Sequence, residues 1–238
     1  MKLDVLAFGA HPDDVELGAG GILAVHRAAG KKVGIIDLTR GELGTRGTPE
    51  IRDQESKEAA RILGCVIREN LAFPDGIIPT NHEAQIKVAE VLRKYQPEVV
   101  LMNAPTDRHP DHGRASQLVE EACFLSGLHK LSVAEEFKDF QPWRPKQMYK
   151  YLQFYNLEPN LIVDISSGFE VKMASILAHK SQFYDPQSAE PDTVIASKGF
   201  LDSVSARAMD WGRVIGVKYA EPLISVRHVG VENLLDLR

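Results

Sequence analysis

Two four-residue stretches hold the densest chemistry in the chain: His11-Pro12-Asp13-Asp14 and His109-Pro110-Asp111-His112. Aspartate and proline are ordinary turn residues, and one such stretch alone reads as a capped turn. Imidazoles and carboxylates at this density also supply metal ligands and a general base. The pattern occurs twice, each time just past an apolar run, at residues 3–10 and 99–104. That recurrence favours a metal site over two unrelated turns. Catalytic zinc takes three N, O or S ligands and keeps one position for water. Six titratable groups exceed that need. The surplus can supply a base and a His-Asp pair acting on the transition state.

The elements that must position these groups follow from periodicity and punctuation. Strands are predicted over residues 3–10, 32–39, 65–72, 99–104, 147–154, 161–165 and 223–229. Helices are predicted over 15–29, 49–63, 82–95, 112–127, 168–183 and 201–219, with Thr48 and Asn81 as caps and Gly30 and Gly64 as stops. Gly18, Gly20 and Gly21 weaken the first helix, which implies its close approach to the sheet. They do not keep the G-x-G-x-x-G spacing, and the turn before them is acidic, so a dinucleotide site is disfavoured. Residues 184–197, with two prolines and few apolar side chains, read as a loop or lid.

This alternation predicts right-handed βαβ units in an α/β, Rossmann-like fold. The sheet is mainly parallel, with helices on both faces, and residues 1–238 form a single domain. In the order 3-2-1-4-5, strands 1 and 4 are neighbours where the order reverses, and ligands bind there. His11, Asp13 and Asp14 would then lie beside His109, Asp111 and His112.

Composition sets limits. The chain has 238 residues, 44% hydrophobic and 26% charged, with a formal charge of -5. That balance argues against nucleic acid as a partner. No apolar run approaches the roughly 18 residues of a membrane span. Met1 leads almost directly into the first strand, so no signal peptide is expected. Cys65 and Cys123 read as reduced, buried thiols of a cytoplasmic protein. Arg40, Arg46 and Arg52 read equally well as a solvated face or as substrate contacts, with Arg52 best placed. Arg108 lies inside the second cluster.

Residues 10–14, the glycine-rich helix after them and residues 108–112 resemble the LmbE-like (PIG-L) zinc-dependent N-deacetylases over nearly the whole chain. Within that family, residues 37–47, 107–115 and 122–128 look most like the bacillithiol-pathway subgroup, which acts on N-acetylglucosaminyl malate. The resemblance implies one zinc per chain held by His11, Asp14 and His112. Asp13 is the implied base, and His109, protonated and oriented by Asp111, the implied electrophile. Pattern by itself leaves the choice among the six groups open. The resemblance also matches Arg144 to an active-site arginine. It transfers no tyrosine role, because Phe200 stands near the expected place. Relatives are often hexameric, so a homo-oligomer, such as a hexamer, is expected.

A malate group is a dianion and needs cations. Arg52 and Arg108 are expected to clamp it, because the guanidinium fork suits carboxylates. Glu42 is expected to accept from a sugar hydroxyl. A broader N-acetylglucosamine or chitobiose deacetylase of the same family is the alternative. Outside it stand a non-haem iron oxygenase, which shares the two-His-one-carboxylate set, and a sugar- or nucleotide-binding module, which has no need of Asp13.

Overall fold

Side-chain alternation along the first strand, β1 (Val5–Gly9), decides both faces of the sheet. Leu6 and Phe8 pack with Val88, Leu92 and Leu118 on one side. Val5 and Ala7 pack with Val15, Ile22, Leu23 and Phe169 on the other. Each such buried aliphatic or aromatic side chain contributes roughly 1.5–3 kcal/mol. The chain is seen here as a computed structural model that describes residues 1–236.

After β1 come α1 (Asp14–Ala28), β2 (Val33–Asp37), α2 (Pro49–Leu63), β3 (Ile67–Asn70), α3 (His82–Tyr95), β4 (Val99–Met102) and α4 (Pro110–Leu125). Then follow β5 (Gln147–Tyr151), β6 (Leu161–Asp164), α5 (Phe169–Leu177), α6 (Lys198–Ile215) and β7 (Ala220–Ser225). The strand order is β3-β2-β1-β4-β5-β7-β6. The first five run parallel, so the expected order 3-2-1-4-5 is present. β7 is antiparallel to both β5 and β6. No helix among the described residues is long and apolar enough to cross a membrane.

The glycines of α1 explain how this helix lies so close to the sheet. A Cβ on Gly18 would fall 2.2 Å from the Tyr151 ring, and one on Gly21 would fall 2.5 Å from Ile165. The Tyr151 hydroxyl donates to the Phe8 carbonyl at 2.9 Å. From β7, the buried Glu221 carboxylate accepts from the backbone N–H of Gly21 and Ile22 at 3.0 and 2.8 Å. Glu221 also pairs with Lys172 of α5.

Several boundaries differ from expectation: β5 ends at Tyr151 rather than 154, and α6 spans Lys198–Ile215 rather than 201–219. The helix expected over 168–183 ends at Leu177. Beyond it, His179 turns inward to Glu16 at 3.1 Å, while Ser181 N–H and Oγ donate to Glu55. The last strand starts at Ala220, three residues before the expected start at 223, because Pro222 is accommodated inside it.

Candidate active site

β1 and β4 end side by side, and Asn103 joins them: its Oδ1 accepts from Ala10 N–H at 2.9 Å. Its Nδ2 donates to Asp14 Oδ2 at 3.1 Å. The topology therefore delivers both clusters to one place, as expected from the sequence.

In the first cluster Asp13 is the N-cap residue of α1 and Asp14 the first helical residue. Asp13 has φ 112°, a left-handed conformation that an L-residue adopts only under constraint. Its carboxylate makes no capping bond. It faces the cavity instead, with Arg52 Nη2 at 3.4 Å. Burial pushes its pKa up to about 6 against the lowering charge of Arg52. Asp14 behaves oppositely. Burial alone would raise it, but His112 and His11 hold it well below the usual carboxylate range. Gln153 Nε2 donates to its Oδ1 at 2.9 Å.

In the second cluster His109 is the N-cap residue of α4, and its Nδ1 accepts from the Asp111 N–H at 3.3 Å. A neutral imidazole accepting at Nδ1 carries its hydrogen on Nε2. Burial, with the charges of His11 and His112, lowers the His109 pKa, which favours that neutral form. His112 Nδ1 lies 3.0 Å from Asp107 Oδ2, and its Nε2 lies 3.2 Å from Asp14 Oδ1. Burial would lower the His112 pKa, but Asp14 and Asp107 raise it to about 9.

The donor set suits a divalent cation. His11 Nδ1 lies 3.6 Å from Asp14 Oδ2, opposite His112 on the same carboxylate. Asp107 fixes the outer nitrogen of His112, as carboxylates commonly do behind metal-bound histidines. His11, His109 and His112 offer nitrogens within 4.8 Å of one another, and so do ligand atoms of His11, Asp75 and Asp111. Neighbouring carboxylates raise the pKa of both His11 and His112, and a cation bound there would balance the same negative charge.

His11, Asp13, Asp14, Asp75, His109, His112 and Gln153 line a cavity of about 310 Å³. Part of its wall comes from the loop after β2 (Leu43, Gly44, Thr45, Arg46) and from Thr193, Val194 and Ile195. The segment expected to be a loop or lid therefore contributes these last three residues to the wall of the site.

Several expected contacts are placed differently. The Asp111 carboxylate does not touch His109. It accepts from Gly76 N–H at 2.7 Å, Ile78 N–H at 3.3 Å and Arg114 at 3.0 Å, because as the second helical residue it faces the loop after β3. It lies 3.6 Å from His11. Arg52 lines the cavity but is spent on the chain itself, donating to the carbonyls of Pro12 at 2.7 Å and Gly41 at 3.0 Å. Glu42 binds the backbone N–H of Arg40 and Asp75 and does not line the cavity. Arg108 does line it, exposed, 5.2 Å over the Phe154 ring. Arg144 is not brought to the site. It lies over Phe124 and donates to that residue's carbonyl, at the carboxyl end of α4, whereas the site lies at that helix's amino end.

Sequence reasoning missed Asp75, Asn103, Asp107 and Gln153. Asp107 alone carried a signal, five residues before His112.

A Rossmann-like sheet with a buried His/carboxylate set at the reversal of strand order, and a further buried carboxylate beside it, fits the class of metal-dependent hydrolases. The comparisons make this specific. The family described as PIG-L, GlcNAc-PI de-N-acetylase, matches residues 6–123. The crystal structure of a conserved protein from Thermus thermophilus superposes with TM-score 0.86 at 40% identity, covering 98% of each chain. The diacetylchitobiose deacetylase of Thermococcus kodakarensis is 31% identical over 91% of this chain and 80% of its own. The N,N′-diacetylchitobiose deacetylase of Pyrococcus horikoshii, in complex with an inhibitor, gives TM-score 0.81 at 29% identity, covering 97% of this chain and 88% of its own. A relative named probable N-acetyl-alpha-D-glucosaminyl L-malate deacetylase 2, of Bacillus cereus, is 26% identical over 76% of this chain and 84% of its own. The chain belongs to the PIG-L family of N-deacetylases.

Proposed function

We propose that this protein hydrolyses the 2-acetamido group of N-acetylglucosamine-type sugars, releasing acetate and a free amine, with zinc held by His11, Asp14 and His112. One observation carries this reading. Asp13, a buried carboxylate with a pKa of about 6 and no structural bond to its own helix, faces the cavity beside that donor set. The cation supplies Lewis acidity toward the amide carbonyl and acidifies water.

The chain's own residues do the rest. Asp13 takes the proton of the attacking water on a carboxylate oxygen and returns it to the leaving nitrogen; a pKa near 6 suits both transfers. Arg52 holds Asp13 in place. His109 donates its Nε2 hydrogen to the developing oxyanion as a neutral imidazole, not as the protonated form expected from the resemblance. Asp107 and Gln153 fix the ligands His112 and Asp14.

As substrate, a chitobiose-type sugar has the stronger support, because relatives so named are more similar to this chain than the malate-named one. The malate reading keeps one observation in its favour. Arg108 reaches the cavity and is ion-paired with no carboxylate among the described residues. Acetate release from N-acetylglucosamine, diacetylchitobiose and N-acetylglucosaminyl malate, each with and without a chelator, tests the proposal. Chelator-sensitive release from at least one supports it, and release from none with metal-loaded protein rejects it.

A further inference from the structure

Arg46 lines the cavity from the loop after β2, yet only 4% of its surface is exposed. Gln182 Nε2 donates to its carbonyl at 2.8 Å and fixes its backbone. Its guanidinium Nη2 donates to Ser188 Oγ at 2.6 Å, and its Nε is buried with no partner. No carboxylate among the described residues pairs with it. Three other arginines near the site are neutralised: Arg52 by Asp13, Arg40 by Asp53 and Glu50, Arg68 by Glu16 and Asp37; Arg108 has no carboxylate partner among the described residues but is exposed to water.

A buried charge without a counter-charge is expensive. Nε and Nη2 lie on one edge of the guanidinium, the edge that takes a carboxylate through two parallel bonds. Here that edge meets one neutral hydroxyl, and the hydroxyl belongs to the lid. We propose that Arg46 anchors an anion subsite on the lid side of the cavity. It takes a carboxylate carried by the group attached to the amino sugar and displaces Ser188. The inference rests on the deacetylase reading above and adds a selectivity to it. Arg52, spent on Pro12, Gly41 and Asp13, is not the selecting cation.

The test compares kcat/KM for N-acetylglucosaminyl L-malate with kcat/KM for diacetylchitobiose, using zinc-loaded protein. R46Q should lose at least tenfold more on the malate conjugate than on the disaccharide, chiefly in KM. R46K, which keeps the charge without the fork, should fall between. S188A removes only the neutral partner and should keep the wild-type ratio. Equal losses on both substrates in R46Q, or an S188A variant that reproduces R46Q, would overturn the subsite and make Arg46 a fastening for the lid. A wild type active on neither substrate refutes the deacetylase reading instead. Calorimetric titration of free L-malate into wild type and R46Q then decides the subsite: heat lost in R46Q upholds it, and equal heats overturn it.

Discussion

The two His-Pro-Asp stretches are spelled alike and end neighbouring strands, but they enter their helices two residues out of step. In the first, Asp13 caps and Asp14 opens the helix, so His11 and Pro12 stand outside it. In the second, His109 caps and Pro110 opens it. The shift reassigns every role. Asp13, third in its stretch, sits in a left-handed turn and faces the cavity. Asp111, third in its own, is the second helical residue and is consumed by the Gly76 and Ile78 N–H groups. One motif thus yields a cavity-facing carboxylate and a structural one. The choice is made by helix register, not by residue type.

The largest effect should come from Asp13. Asp13→Asn should lower kcat by about 10²- to 10⁴-fold, the scale of a general base, with metal content unchanged by elemental analysis. Metal loss would make Asp13 a ligand and erase the contrast.

Next is the carboxylate behind the ligands. Asp107→Asn should weaken metal affinity about 10- to 100-fold, the usual effect of losing such a support, as read by competition with a chelating dye. Unaltered affinity would mean that His112 needs no orientation from Asp107.

Asp111→Asn sharpens the comparison through stability. Leaving two N–H groups short of a charged acceptor should cost about 1–3 kcal/mol, a drop of several degrees in Tm by calorimetry. A loss in kcat as great as that of Asp13→Asn, at unchanged Tm, would make the two carboxylates equivalent after all.

Asp13 should show the opposite sign. Its pKa is raised from 3.8 to about 6 in the folded chain. Well below pH 3.8 both states are protonated and nothing is lost. As pH rises from about 4 to 6 the unfolded chain ionises first, so the ionisable Asp13 costs stability that persists above pH 6. In metal-free protein, Asp13→Asn should therefore raise Tm at pH 7.5 and leave it almost unchanged near pH 3.5; a gain equal at both pH values would contradict this.

The smallest effect is expected at Arg144. Arg144→Ala should leave kcat/KM within about twofold, since its guanidinium contacts Phe124 and not the cavity. A tenfold loss would restore it to the site.

What was legible in the sequence had a local cause. Apolar runs ending in titratable residues marked β1, β4 and both clusters. Glycines inside α1 announced a close approach, which Tyr151 and Ile165 make. The poorly apolar segment before α6 was readable as a loop or lid. The rest depended on contacts across the fold. Asn103 and Gln153 reach Asp14 from 89 and 139 residues away, and no spacing rule links such positions. Arg52, singled out as a substrate contact, does line the cavity, but two of its donors go to backbone carbonyls, and carbonyls leave no trace in a sequence. Arg144 was misplaced because the stretch between α4 and β5 is irregular and gave no register.

Glu221 gives the architecture a lever. Its carboxylate grips the backbone of α1 about two turns below Asp13 and Asp14, yet it belongs to β7, about a hundred residues beyond the block matched by the family. The C-terminal third thus has a mechanical hold on the helix that Asp13 and Asp14 open. Drift in sequence there can reset the tilt of that helix, and with it the aim of two carboxylates, without altering one residue of the cavity.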